Sequence, residues 1–364
     1  MTATPVPPHR TPAHRTPPHR IPAPRTALTR DALAPLVRAA AGPHRALAAV
    51  VRLRGGSKKG VYRLHFDDDT TAVAYVWSAD EDYWDAGPSD LRDPFSHGTG
   101  LGLFTAAHDR LTAVGVRTPR LLYADDTHTH LPAETAVVED LTGGSLEAAL
   151  KRDPDAGRAS LEQLAEQLTA LHAHRGPAFG KVALVDNGGV PSDRSCEQRV
   201  IDGALRDIAA TVVRDARIAD AREELEAAVQ EMGAAVRPRS RHALIHGELG
   251  PDHVLLDADG RPALIDIEGL MYFDVEWEHV FLELRFHEAY DALRVPGLDE
   301  DRLRLYRLAM RLSLVAGPLR LLDGDFPEPG PMRAIAEHNL RRALELIGRP
   351  PQAPGHAPAP APGR

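Results

Sequence analysis

The stretch His246-Gly247-Glu248-Leu249-Gly250-Pro251-Asp252-His253-Val254-Leu255-Leu256 is followed by Ala263-Leu264-Ile265-Asp266-Ile267-Glu268. Gly250 and Pro251 disfavour a helix, so the polar residues before Val254 read as a loop. Val254-Leu255-Leu256 then reads as a short buried strand. Asp259-Gly260 reads as a turn, and residues 262–265 as a second strand ending on two acids. His246 stands two residues before Glu248, and His253 five after it. That spacing is not the helical H-E-x-x-H arrangement of a zinc hydrolase.

Upstream, an amphipathic run over 30–41 opens the ordered chain, and strands are expected over 46–54, 61–66 and 71–77. The first two are joined by Gly55-Gly56-Ser57-Lys58-Lys59-Gly60. A strand, glycine-rich turn and strand can lay backbone N–H groups over phosphates. The same residues also make an ordinary hairpin turn, and both readings stay open. A helix fits 100–114, with Leu103, Ala107, Leu111 and Val114 on one face. Two more strands are expected at 119–123 and 134–139. Val137-Val138-Glu139-Asp140-Leu141 leads into Gly143-Gly144 and reads as a hinge. Beyond it, helices are expected over 161–172, 197–213, 219–235, 273–290, 301–322 and 332–347. The chain thus divides into a Pro/Arg/His-rich arm (1–30), a small β-rich lobe (31–140), a larger helical lobe (141–348) and a Pro/Ala-rich tail (349–364). The fold class is α+β.

Residues 1–30 hold eight prolines, five arginines and no acid. Such a segment buries too little apolar surface to offset its ordering entropy, so disorder is expected there and in the tail. The chain has 364 residues, enough for two lobes with separate cores, and a net charge of -9. The acidic balance argues against a nucleic-acid partner. It fits a cationic small substrate without choosing one. Cys196 is the single cysteine, so neither an internal disulfide nor a Cys-based zinc site is expected within the chain, and a reducing cytoplasm fits. No apolar run approaches the roughly 18 residues of a membrane span, and the first residues lack the apolar core of a secretory signal.

With loop, strand pair and lobes in place, the chain resembles the aminoglycoside phosphotransferase/choline kinase-like family, whose fold is kinase-like. The family loop runs H-G-D-x-x-P-x-N-[VI]-L and its next strand ends I-D-[FW]-E. Here the corresponding residues are His246-Gly247-Glu248, Pro251, His253-Val254-Leu255 and Ile265-Asp266-Ile267-Glu268. Leu164, Leu168, Leu171 and His172 match a further family helix, Phe179-Gly180 its F-G, and Val116, Pro119 and Leu121 a segment of the small lobe. Asp274 and Glu278 fall in its G-D-P-x-x-D. The resemblance covers residues 45–345. It implies a two-lobed fold and ATP- or GTP-dependent phosphorylation of a small-molecule hydroxyl, with Mg²⁺ or Mn²⁺. It implies Glu248 as the base and Asp266 as a metal ligand, helped by His253, Asp252 or Glu268. Gly55, Gly56, Ser57 and Lys58 would meet the phosphates, and the backbone of Val138 and Glu139 the nucleotide base. Substrate would lie against 192–235.

The departures matter. Glu248 replaces an Asp, and its extra methylene moves the carboxylate by about an ångström, a misplacement that can cost about 10²-fold in rate. His253 replaces an Asn, and imidazole suits softer divalent ions better than Mg²⁺. The strand 71–77 has no lysine where kinases place one, Tyr75 standing near that position. The helix 100–114 has no glutamate. Lys58 or Lys59 could reach in from the turn instead. Bland roles compete: Glu248 accepting loop N–H groups, His246 bracing the loop, Asp274 and Glu278 holding it. The alternative function is a catalytically silent domain that binds a nucleotide or a protein partner.

Overall fold

The computed structural model describes residues 27–42, 44–53, 56–84 and 89–349. The arm up to residue 26, Gly55 and the tail from 350 lie outside the described residues. Thr29 caps α1 (Arg30–Ala41), its hydroxyl accepting from the Ala32 N–H at 3.2 Å. Strands β1 (Leu47–Arg52), β2 (Gly60–Phe66) and β3 (Thr71–Trp77) follow, then α2 (Leu101–Ala113), β4 (Leu121–Asp125) and β5 (Glu134–Glu139). They form one antiparallel sheet of order β1-β2-β3-β5-β4. Period-2 alternation gives β3 two buried faces. Ala72, Ala74 and Val76 pack with Leu33, Leu36 and Val37 of α1. Val73, Tyr75 and Trp77 face Phe104 and Leu111 of α2. That second cluster continues without a break into the helical lobe, so one apolar body joins the lobes.

The helical lobe begins with α3 (Leu146–Arg152), capped by Ser145, and α4 (Pro154–Ala173), capped by Asp153. Short strands β6 (Arg175–Gly176) and β7 (Gly180–Lys181) precede α5 (Val182–Val185), α6 (Cys196–Val212), α7 (Ala216–Asp220) and α8 (Arg222–Ala235). The helix expected over 219–235 is therefore two helices that break at Ala221. Next come β8 (His242–Ile245), β9 (Val254–Leu256), β10 (Pro262–Leu264) and β11 (Met271–Phe273), then α9 (Val275–Phe286), α10 (Glu300–Leu321) and α11 (Pro329–Leu346). Phe273, expected at a helix start, instead pairs with Ala243 of β8 in a sheet of order β6-β8-β11-β7. β11 spends its backbone groups on two neighbouring strands, so α9 can start only after Asp274. A second core gathers α6, α8, α9, α10 and α11 around Phe273, Trp277 and Tyr306. Among the described residues no helix is long and apolar enough to cross a membrane.

Two connections position the site. Residues 246–253 run from β8 to β9, closing with a tight turn at Pro251–His253. Residues 265–270 run from β10 to β11. β9 and β10 pair antiparallel with Leu256 opposite Pro262, so the two connections leave the sheet side by side.

Candidate functional site

The 246–253 loop is held from below. His246 is buried, and its Nε2–H donates to the Ile265 carbonyl at 2.9 Å while Nδ1 accepts from the Glu248 N–H at 3.4 Å. Burial holds this ring neutral, its pKa lowered to about 4. Gly247 turns at φ +91, where a side chain would be strained and a Cβ would meet the Met271 methyl at 2.9 Å. Its N–H donates to Glu278 Oε2 at 2.8 Å. Glu278 is fully buried, and desolvation lifts its carboxyl to about 7. Glu278 thus holds the loop. Asp274 does not: it is bound to Arg302 and to the Tyr306 hydroxyl.

So braced, the loop presents Glu248 outward, with 64 % of its side chain exposed. Lys58 Nζ lies 3.8 Å from Glu248 Oε2. That ammonium holds the Glu248 carboxyl below its ordinary range, and Glu248 raises Lys58 in return. Next to it, Asp266 adopts a left-handed backbone (φ 59°, ψ 45°), a conformation that Asp tolerates better than most residues. Lys59 Nζ reaches Asp266 Oδ1 at 2.8 Å and Glu268 Oε1 at 2.6 Å. Trp77 Nε1 donates to the same Glu268 oxygen at 3.2 Å. Lys59 also lies over the Tyr75 ring, 5.2 Å from its centroid. Lys59 of the glycine-rich turn thus meets the two acids that no lysine of β3 reaches, and Tyr75 forms its floor. A Cβ on Gly56 would collide with the Lys59 carbonyl, so the turn that aims both lysines needs glycine there. The Lys59 ammonium drives the Asp266 carboxyl far below its ordinary range.

His253 faces the same acids. Its Nδ1–H donates to the Glu248 carbonyl at 2.8 Å, which leaves the Nε2 lone pair directed away. Nε2 stands 3.9 Å from Asp252 Oδ2 and 4.0 Å from Asp266 Oδ2. The other Asp252 oxygen accepts from Arg285 at 2.6 Å. The His253 nitrogen thus lies between two carboxylates that do not themselves close to ligand spacing, and an imidazole beside carboxylates suits a divalent ion of borderline softness better than Mg²⁺, which demands close oxygen ligands. Glu268 lies on the far side of Lys59, with 5 % of its side chain exposed, and its Oε1 is occupied by Lys59 and Trp77.

Gly55 falls outside the described residues. Ser57 binds Trp84, whose indole N–H donates to Ser57 Oγ at 3.1 Å. At the hinge, Val138 is buried and the Glu139 N–H donates to the Arg120 carbonyl at 2.9 Å. The Glu139 amide is therefore already committed within the sheet. Across the front, residues 89–99 cover part of the face expected to meet substrate. Asp93 takes Arg199 of α6 at 2.6 and 2.8 Å, and Ser192 donates to the Arg92 carbonyl at 3.0 Å. Lys181 escaped the sequence reading. It is buried, donates to the Ser96 carbonyl at 2.6 Å, and is lowered to about 8 by burial and by Lys58. One signal was available: the chain has four lysines against 43 basic residues, and three of the four, Lys58, Lys59 and Lys181, gather here.

A small sheet lobe, a helical lobe and a braced acidic loop between them define a kinase-like phosphotransferase architecture. Residues 99–312, more than half of the chain, match the phosphotransferase enzyme family termed APH, and the protein belongs to that family. Among solved structures it is similar to the GDP and kanamycin complex of APH(2")-IIia, at 18 % identity and a TM-score of 0.56 over 86 % of this chain and 97 % of that one. It is similar to the apo form of a thermostable mutant of the aminoglycoside phosphotransferase APH(4)-Ia, at 16 % identity and TM-score 0.54, over 85 % of this chain and 98 % of that one. A ternary complex of such a mutant with ADP and hygromycin B matches at 16 % identity and TM-score 0.51, over 84 % and 96 %. At these identities the likeness is one of fold. No curated protein sequence matches the chain.

Proposed function

We propose that the protein transfers the γ-phosphoryl group of a nucleoside triphosphate to a hydroxyl of a small molecule. The observation that carries this reading is the convergence of Lys58 and Lys59 on Glu248, Asp266 and Glu268 from the far side of the cleft. Family membership and neighbours that hold GDP with kanamycin, or ADP with hygromycin B, support it. The acceptor oxygen attacks the γ-phosphorus, its proton passes to the Glu248 carboxylate, and the bond to the β–γ bridging oxygen breaks to release the nucleoside diphosphate. Lys59 and Lys58 neutralise charge on the phosphate oxygens, and catalysis is mostly positioning and charge compensation. Asp266, helped by His253 and Asp252, would hold a divalent ion, which would supply charge compensation during the transfer. Val138 lines the apolar side of the nucleotide site.

One observation favours a second reading, a silent nucleotide binder: Lys59 is already paired with Asp266 and Glu268. Thermal melts with ATP, GTP, Mg²⁺ and Mn²⁺, run beside a nucleotide-hydrolysis assay, separate the two. Metal-dependent nucleotide stabilisation with slow hydrolysis that Glu248→Gln abolishes supports transfer. Stabilisation without hydrolysis supports the silent binder. No shift with any nucleotide rejects both.

A further inference from the structure

Behind the loop, on the side away from the cleft, Cys196, His242 and Asp274 meet. Cys196 is the first residue of α6, His242 the first of β8, and Asp274 the residue between β11 and α9. All three are buried. Cys196 Sγ lies 3.4 Å from His242 Nδ1, and the same nitrogen lies 3.9 Å from Asp274 Oδ1. The three donor atoms fall within 4.8 Å of one another. We propose that this cluster binds a zinc ion through Cys196 Sγ, His242 Nδ1 and Asp274 Oδ1.

The geometry favours an ion over a nucleophilic relay. A Cys–His–Asp relay uses the two ring nitrogens in turn, one toward sulfur and one toward the carboxylate. Here sulfur and carboxylate both face Nδ1, which converges three donors on one point. Tetrahedral zinc with these donors has edges of roughly 3.3–3.6 Å. The sulfur–nitrogen edge already fits, and a small rotation of the Asp274 side chain closes the others. Sulfur, nitrogen and oxygen donors together suit Zn²⁺ rather than Mg²⁺ or Ca²⁺.

A second observation points the same way. Asp274 Oδ2 accepts from the Tyr306 hydroxyl at 2.6 Å and from Arg302. Oδ1 has no hydrogen-bond partner although the side chain is fully buried; Arg239 Nη1 approaches it at 3.6 Å. Leaving such an oxygen unsatisfied is costly. The surrounding charges accommodate an ion. Arg302 and Arg239 are offset by Glu197 at 3.4 Å and Glu276 at 2.7 Å. With a neutral thiol, the two arginines, Asp274, Glu197 and Glu276 leave the cluster one negative charge in excess. Binding releases the thiol proton to solvent, and thiolate plus Zn²⁺ bring the cluster to neutrality. The count of a single cysteine hid this site, because two of its ligands are not sulfur. The ion would tie the start of β8, four residues before His246, to α6 and α9.

Cobalt replaces zinc as the reporter. Full-length protein, stripped of metal with chelator, is titrated with Co²⁺ and then with Zn²⁺. A thiolate-to-cobalt charge-transfer band is expected to saturate at one equivalent, bleach on addition of Zn²⁺ and be lost in Cys196→Ala. With one cysteine in the chain, that band can come only from Cys196, whatever the 18 histidines bind. Zn²⁺ at a hundredfold excess over Kd is expected to raise Tm by about 5 °C in wild type and not in Cys196→Ala. Cobalt uptake without the charge-transfer band, or no uptake at all, overturns the proposal.

Discussion

Lys59 Nζ stands 2.8 Å from Asp266 Oδ1, although 207 positions separate the two residues. With Glu268 it forms a cation between two anions, all three sharing the floor made by Tyr75 and Trp77. Lys59→Met removes the shared cation and leaves Glu268 charged and buried. Breaking such a buried pair costs about 3–5 kcal/mol, so Tm is expected to fall by about 10 °C. Calorimetry at pH 8 tests this, and nucleotide affinity in the same variant should drop more than tenfold, roughly 1.4 kcal/mol. An unchanged Tm would show that the pair is not formed in solution.

Most of the Glu248 side chain is exposed, so on the proposed function its loss should affect chemistry and leave folding intact. Glu248→Gln is expected to leave Tm unchanged and lower kcat by about 10²–10⁴. The active form is the carboxylate, and Lys58 favours that form. The acid limb of the pH–rate profile therefore lies below the ordinary carboxylate range, and Lys58→Ala should move it to higher pH. A limb that stays in place would remove Glu248 as the base.

Glu278 should make stability depend on pH. Its folded carboxyl titrates at about 7 against an ordinary 4.5 because it is desolvated. A folded pKa above the unfolded one gives a stabilising contribution that is full below 4.5 and lost as pH rises through 7. The loss is at most roughly 3 kcal/mol. Glu278→Gln should flatten that slope in urea unfolding at pH 5 and pH 8. Parallel slopes in variant and wild type would refute it.

On the proposed function, His253 is expected to set the choice of metal. Its Nε2 lies 3.9 Å from an Asp252 oxygen and 4.0 Å from an Asp266 oxygen, and His253→Asn would put an oxygen ligand between them. The ratio of activity with Mg²⁺ to activity with Mn²⁺ is expected to rise about tenfold. A ratio that does not move would place the ion elsewhere.

The loop and the strand pair were legible in the sequence because turn residues and apolar runs there specify local structure. Glu248, Asp266 and His253 come together as the loop spacing implies. Less was legible where a role passes between elements. No lysine of β3 meets Asp266 and Glu268; Lys59 of the glycine-rich turn does, and its place in the turn left it open beside Lys58 which of the two would reach in. Arg285 on Asp252 and Trp77 on Glu268 are long-range contacts with no local pattern. The helix expected over 273–290 failed at its start because sheet pairing claimed Phe273, a tertiary preference that periodicity does not contain.

Residues 89–99 lie between the small sheet and α2 in the chain, yet their anchors are Arg199, Lys181 and Ser192 of the helical lobe, with the Phe95 ring tilted against Trp277 at 4.6 Å between centroids. The sheet is thus fastened to its neighbour at two places, the hinge behind and this strap in front. A body pinned at both edges cannot swing open like a door. On the proposed function, nucleotide and acceptor would enter and leave through the gap between the pins, past Lys58 and Glu248.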